Sequence, residues 1–106
     1  MDTIAVTADV TTLINILTVE PERQRELLGL LRDNIENCVS RLDGWISSSL
    51  IAANDRRRVV IYSQWRDAAA IDAMRANLEM QKYFPRIAAL ASFDSFAGDV
   101  VYMRHA

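Results

Sequence analysis

The stretch that most narrows what this chain can fold into is Val59-Val60-Ile61-Tyr62-Ser63-Gln64-Trp65, with Arg66-Asp67-Ala68 directly behind it. Valine, isoleucine, tyrosine and tryptophan suit a pleated, half-buried surface. Side chains alternate across a strand, so Val59, Ile61, Ser63 and Trp65 share one face and Val60, Tyr62 and Gln64 the other. Both faces carry apolar groups. Such a strand belongs in the middle of a sheet, covered on two sides, and the remaining chain must supply the cover.

Met1 to Val10 is a lead-in of mixed character. Val10 to Val19 is rich in β-branched residues and reads as the first strand. Asn15 is its one clearly polar amide. It faces either solvent or a cavity, where it can donate and accept hydrogen bonds. Glu20-Pro21-Glu22 ends the strand and opens a helix, because proline suits a first helical turn and acids complement the helix N-terminus. Leu27, Leu28, Leu31, Ile35, Cys38, Val39 and Leu42 recur at three- and four-residue spacing. They predict an amphipathic helix of about five turns. Asp43-Gly44 stops it. Trp45 to Ala53 is strand two, with three consecutive serines that either lower the floor of a pocket or face water. Asn54-Asp55 turns the chain into the strand that ends at Trp65.

Asp67 is placed to cap the next helix, whose buried stripe is Ala68, Ile71, Met74 and Leu78. A further helical piece runs from about Glu79 to Ala91 and contains Pro85. Proline removes a helical hydrogen bond and crowds the preceding turn, so a break near Phe84 or a new helix begun by Pro85 is expected. Ala97 to Arg104 reads as the last strand.

The order β-α-β-β-α-β predicts a ferredoxin-like α+β fold, with a four-stranded antiparallel sheet and its helices on one face. That leaves the second face bare although its strands are apolar there. Soluble monomers rarely expose such a patch, so a two-fold homodimer with sheets packed face to face is expected. The segment from Phe93 to His105 is long enough to reach across to the partner.

Length and charge exclude several classes. With 106 residues, 51% of them apolar, the chain is expected to form one domain with a real core. A formal net charge of −2 argues against nucleic acid or an anionic membrane as partner. The basic run Arg56-Arg57-Arg58 follows a turn and reads as a solvated hairpin tip. The lone Cys38 forms no intramolecular disulfide or cysteine-cluster metal site, and its neighbours make it a small core residue rather than a nucleophile. No apolar run approaches the roughly 18 residues of a membrane span, and no basic segment leads into a signal sequence. A cytoplasmic location is the default expectation.

Tyr62-Ser63-Gln64-Trp65 at a strand end, the acid-started helix behind it, the Asp43-Gly44-Trp45 turn into strand two and the βαββαβ order together resemble the antibiotic biosynthesis monooxygenase family. The likeness runs from about Thr11 to Arg104. It implies a small dimeric α+β barrel. Some members oxidise a tricyclic anthrone of an aromatic polyketide pathway to a quinone with molecular oxygen, using no flavin, metal or haem. Others bind and degrade haem or isomerise small molecules. The resemblance carries Trp65 onto the strand-end tryptophan of the anthrone-oxidising members. Those members have an asparagine where this chain has Ile61 and a helical tyrosine where it has Ile71. A later arginine corresponds to Arg86 with a shift of one residue. The haem-degrading branch matches Asn15, but Met74 stands for its helix tryptophan, Tyr83 for its iron-ligating histidine, and His105 is penultimate.

Oxidising an anthrone requires a flat apolar pocket, polar groups that favour the enolate, and exclusion of water. Trp65, Asn15 and Arg86 are the candidate catalytic residues; Tyr62, Gln64, Met74, Tyr83 and Phe84 are the candidate substrate contacts. Trp45 and Met80 are further candidates for the pocket wall. Each has a plainer reading: Trp65 and the Met74–Phe84 stripe as core, Tyr62 and Tyr102 as interface residues, Arg86 as surface. The function so read is a cofactor-independent monooxygenase acting on a polycyclic aromatic with molecular oxygen. The alternative is a protein of this family that binds a small hydrophobic ligand without that chemistry, and haem binding ranks third.

Overall fold

The strand ending at Trp65 lies inside the sheet, as its two apolar faces require. The computed structural model describes residues 10–106, so all of the N-terminal lead-in but Val10 lies outside the described residues. β1 spans Thr11–Val19, α1 Gln24–Asn37, β2 Trp45–Ala52, β3 Arg58–Trp65, α2 Ala68–Ala76, α3 Leu78–Ala88 and β4 Ala91–Gly98. The sheet order is β2-β3-β1-β4 and every pairing is antiparallel, which is the ferredoxin-like arrangement.

The register lines up side chains in rows across the sheet. Opposite residues of an antiparallel pair share a face. One face therefore carries Leu50, Ile61, Asn15 and Ser95 in one row, and Ser48, Ser63, Leu13 and Ala97 in the next. The other face carries Ser49, Tyr62, Ile14 and Phe96, and beside them Ile51, Val60, Ile16 and Asp94. The helices cover the first face. Leu13, Trp65, Cys38, Val39, Ile71, Met74 and Met80 make one buried cluster there, and Leu17, Val19, Val59, Leu27, Leu31 and Ile87 make a second. Each fully buried aliphatic or aromatic side chain contributes about 1.5–3 kcal/mol of transfer free energy.

Local chemistry fixes the joints. Asp67 caps α2, its Oδ1 accepting from the Ala70 N–H at 2.8 Å. Gly44 sits at φ +87°, and a Cβ there would lie 2.5 Å from the Cβ of Ala70, so the turn into β2 admits only glycine without a shift. The β2–β3 hairpin turns through Asn54-Asp55, where Asp55 Oδ1 accepts from the Arg57 N–H at 2.9 Å. The arginine run around it is exposed. Gln24 ties α1 to this hairpin, its Nε2 donating to the carbonyls of Ala53 and Arg58 at 3.2 and 3.1 Å.

Four expectations are corrected. The first helix is interrupted: its α-helical part ends at Asn37, Cys38 adopts φ −133°, ψ −67°, and short 3-10 turns at Pro21–Arg23 and Val39–Arg41 flank it. Pro85 neither breaks nor starts a helix but lies inside α3. The break comes at Asn77, which leaves the helical region and accepts from the Glu79 and Met80 N–H groups. In the stripe predicted for α2, Ile71 and Met74 are buried, but Ala68 and Leu78 are exposed and Ala70 is buried instead. The last strand is Ala91–Gly98, not Ala97–Arg104, and residues 99–106 carry no regular structure. Only Ala89 and Leu90 separate α3 from β4, so the chain pairs with β1 as soon as it leaves the helix. The more β-prone Val100-Val101-Tyr102 comes too late to find the free edge of β1.

Candidate active site

Between the covered face of the sheet and the helices, the two core clusters leave an unfilled space of about 440 Å³. That is within the range of small-molecule sites. Its floor is Leu13, Asn15 and Leu17 of β1, Ser48 of β2, Ile61, Ser63 and Trp65 of β3, and Phe93 and Ser95 of β4. Leu31, Asn34, Ile35 and Val39, then Met74 and Arg75, and Met80, Phe84 and Ile87 supply the helical side. The lining is mostly apolar with a few amides and hydroxyls. Among the described residues, no Asp, Glu or His lines it. Arg75 is its one charged group; it is half exposed and 3.9 Å from Asp72, which puts it at the rim.

β3 positions Trp65 because its alternation turns Val59, Ile61, Ser63 and Trp65 to the helices. The ring is 1% exposed, and its Nε1 donates to Ser63 Oγ at 3.1 Å. Ser63 donates in turn to the Leu13 carbonyl at 3.4 Å. Trp45, opposite Trp65 across the ladder, donates from Nε1 to Ser48 Oγ at 2.8 Å. Two of the cavity's serines are thus engaged in holding tryptophans. Ser47 and Ser49 point to the other face, so of the serine triplet Ser48 forms floor.

Two further polar groups stand out. Asn34 is buried on α1 and its Nδ2 donates to the thioether of Met80 at 3.3 Å, a weak acceptor. The Ser95 hydroxyl is buried and has no hydrogen-bond partner among the described residues. Neither was singled out from sequence. Asn34 interrupts the apolar stripe of the first helix between Leu31 and Cys38, and that interruption is the available signal. Ser95 lies in β4, ahead of the strand expected at Ala97–Arg104.

Of the residues expected to form the site, Trp65, Asn15, Met74 and Phe84 come together around the cavity. Tyr62 and Gln64 do not, because alternation sends them to the opposite face of β3. There Gln64 is buried and donates to Thr12 Oγ1 at 3.3 Å. Tyr83 packs against both clusters from the side, and its hydroxyl donates to Asp33 Oδ2 at 2.9 Å. That hydrogen bond, with some burial, pushes the phenol above its usual range, so it stays protonated at neutral pH. The Arg86 guanidinium lies 5.3 Å from the centre of the Tyr83 ring, stacked on it outside the cavity lining. Cys38 is buried in the core, and burial raises its thiol. Among the described residues, no three His, Cys, Asp or Glu side chains gather. Nor is any described helix long and apolar enough to cross a membrane.

A four-stranded antiparallel sheet with helices on one face and an apolar cavity between the two defines a ferredoxin-like α+β protein. The model of the antibiotic biosynthesis monooxygenase family matches residues 11–86, and the chain belongs to that family. It is 37% identical over 84 residues to the tetracenomycin-F1 monooxygenase of Streptomyces glaucescens, covering 79% of this chain and 75% of that one. Its fold resembles that of a monooxygenase from the ActVA-Orf6 gene of Streptomyces coelicolor, solved with the ligand nanaomycin D. The TM-score is 0.83 at 17% identity, over 91% of each chain. It also resembles SnoaB, a cofactor-independent oxygenase from Streptomyces nogalater, with a TM-score of 0.76 at 18% identity over 91% of this chain and 97% of that one.

Proposed function

We propose that the protein is a cofactor-independent monooxygenase that oxidises a planar polycyclic aromatic of anthrone type, a polyketide intermediate, with molecular oxygen. The observation that carries this reading is the partly open apolar cavity of about 440 Å³ with Trp65 in its floor, in a chain 37% identical to a tetracenomycin-F1 monooxygenase. The stoichiometry needs no outside reductant. An anthrone methylene gives up two hydrogens, which leave with one oxygen atom as water, while the second oxygen becomes the new carbonyl. Loss of a ring proton makes a carbanion electron-rich enough to reduce oxygen. Trp65, Met74 and Phe84 hold the flat ring and keep water out, and Asn15 hydrogen-bonds a ring oxygen. Tyr62, Gln64, Tyr83 and Arg86 take no part in holding a ligand inside this cavity.

The bare face of the sheet supports assembly. Ile16, Ile51 and Phe96 are exposed there beside Ile14, Val60 and Tyr62. The protein works as a homodimer that buries this face.

One observation favours a second reading, a hydrophobic-ligand binder without turnover: among the described residues, no carboxylate or imidazole lines the cavity to serve as base. Oxygen consumption with anthrones separates the two. Uptake of one oxygen per anthrone with formation of the quinone supports the oxygenase. Binding of several anthrones with no uptake above the uncatalysed rate supports the binder.

A further inference from the structure

Two rows of the cavity floor each set two polar side chains side by side, Ser48 with Ser63 and Asn15 with Ser95. Asn15 on β1 faces Ser95 on β4 directly across the antiparallel ladder. Both line the cavity, and the row continues through Ile61 and Leu50, which are apolar. Directly opposed residues place their Cβ atoms about 4.5–5.5 Å apart. The Ser95 hydroxyl is buried and has no partner among the described residues. A hydroxyl taken from water without a partner weakens a fold, and an oxygen arriving beside it restores the lost hydrogen bond. The other cavity serines differ in this respect: Ser63 and Ser48 are occupied by the two indole N–H groups.

We infer that Asn15 and Ser95 form a two-donor subsite for one carbonyl or phenolate oxygen of the aromatic ligand. An amide N–H and a hydroxyl at this separation both reach an oxygen between them at ordinary hydrogen-bond length, about 2.7–3.0 Å. The oxygen is thereby fixed on the β1–β4 side of the cavity, with the ring extending over Ile61 and toward Trp65. Ser95 is a specificity residue: it makes the site prefer an oxygen-bearing ring to a hydrocarbon of the same shape. The inference deepens the proposed function and rests on the cavity being the aromatic site, but it concerns binding and holds whether or not turnover follows.

The test is an anaerobic fluorescence titration of the full chain with 9-anthrone and with 9,10-dihydroanthracene, which differ by one carbonyl oxygen. Wild type is expected to bind the anthrone more tightly. Ser95→Ala is expected to weaken anthrone binding about fivefold, the ratio one net hydrogen bond carries, and to leave dihydroanthracene unchanged. Ser95→Thr keeps the preference. The ligand-free Ser95→Ala protein melts no lower than wild type, since the hydroxyl it loses had no partner. Equal anthrone affinity in wild type and Ser95→Ala, or equal weakening toward both ligands, overturns the subsite. Failure of both ligands to bind wild type overturns the aromatic site and the subsite together. An intact anthrone preference in a protein that consumes no oxygen sinks the oxygenase reading and supports this one.

Discussion

The two faces of the sheet come from the same four strands and nearly the same residue types, yet they end in different states. On one, Leu13, Leu17, Val59 and Trp65 are sealed by α1, α2 and α3. On the other, Ile16, Ile51 and Phe96 stay exposed in the single chain. What separates them is how much cover the chain provides. Its helical segments roof one side of a four-stranded sheet, and they do so imperfectly, leaving the cavity. The incomplete packing of one face leaves the cavity, and the missing cover of the other leaves apolar side chains exposed in the single chain.

The largest effect expected is on the covered face. Trp65→Ala removes a fully buried indole and its hydrogen bond to Ser63. It is expected to cost about 3–5 kcal/mol in denaturant unfolding. A loss under about 1 kcal/mol would show that the covered face is not the stabilising one. Next comes the turn into β2, where Gly44 passes close to Ala70 of α2. Gly44→Ala forces a residue at φ +87° against Ala70 and is expected to destabilise by more than about 2 kcal/mol. Unchanged stability there would mean that the close approach is not maintained.

On the bare face the same size of change acts differently. Phe96→Asp is expected to leave far-UV circular dichroism unchanged and to shift sedimentation velocity toward the monomer. A wild-type protein that already sediments as a monomer at micromolar concentration would remove the contrast between the faces. Within the cavity, Asn34→Leu replaces an amide whose side-chain partner among the described residues is a thioether by a group of similar size. Stability should stay within about 1 kcal/mol of wild type or rise, while affinity for an oxygen-bearing aromatic falls. A large loss of stability would mark Asn34 as structural.

The smallest effect lies in an exposed ion pair beside the turn into β2. Hydrogen bonds from Arg66 and its charge hold the Asp43 carboxyl below the usual carboxylate range. A lowered folded-state pKa adds stability above the unfolded value, about 3.9, and that part is lost as pH falls through the folded value. Asp43→Asn should therefore flatten the acid limb of the melting curve against pH. It should change Tm near neutrality only slightly, because the pair is exposed. An acid limb identical to wild type would contradict the pairing.

Much of the frame was legible in the sequence. β1, β2 and β3 announce themselves by β-branched and aromatic runs, the hairpin by Asn54-Asp55, and α2 by Asp67 as cap. The alternation of β3 already put Trp65 and Tyr62 on opposite faces. What was hidden depends on contacts between distant segments. β4 is a poor strand by propensity and is made one by the free edge of β1 two residues after α3. Pro85 reads as a breaker, but Asn77 has already taken the capping role eight residues before it, and α3 runs on through the proline. The candidate site was half legible: Trp65, Asn15, Met74 and Phe84 meet, whereas Tyr83 and Arg86 pair with Asp33 and each other on the outside. Asn34 and Ser95 were missed because burial of a polar group is invisible until its neighbours are known.

The central claim is that the cavity under the helices is where an aromatic is oxidised. The direct measurement is oxygen uptake with 9-anthrone, with the product followed by absorbance, in wild type and in Trp65→Phe. Anaerobic binding of the anthrone to both proteins is measured alongside. Wild type is expected to consume one oxygen per quinone formed, and a Trp65→Phe protein that remains folded to react at a rate at least tenfold lower. Anthrone bound without any oxygen consumed, or consumption at the wild-type rate by Trp65→Phe, would contradict the claim.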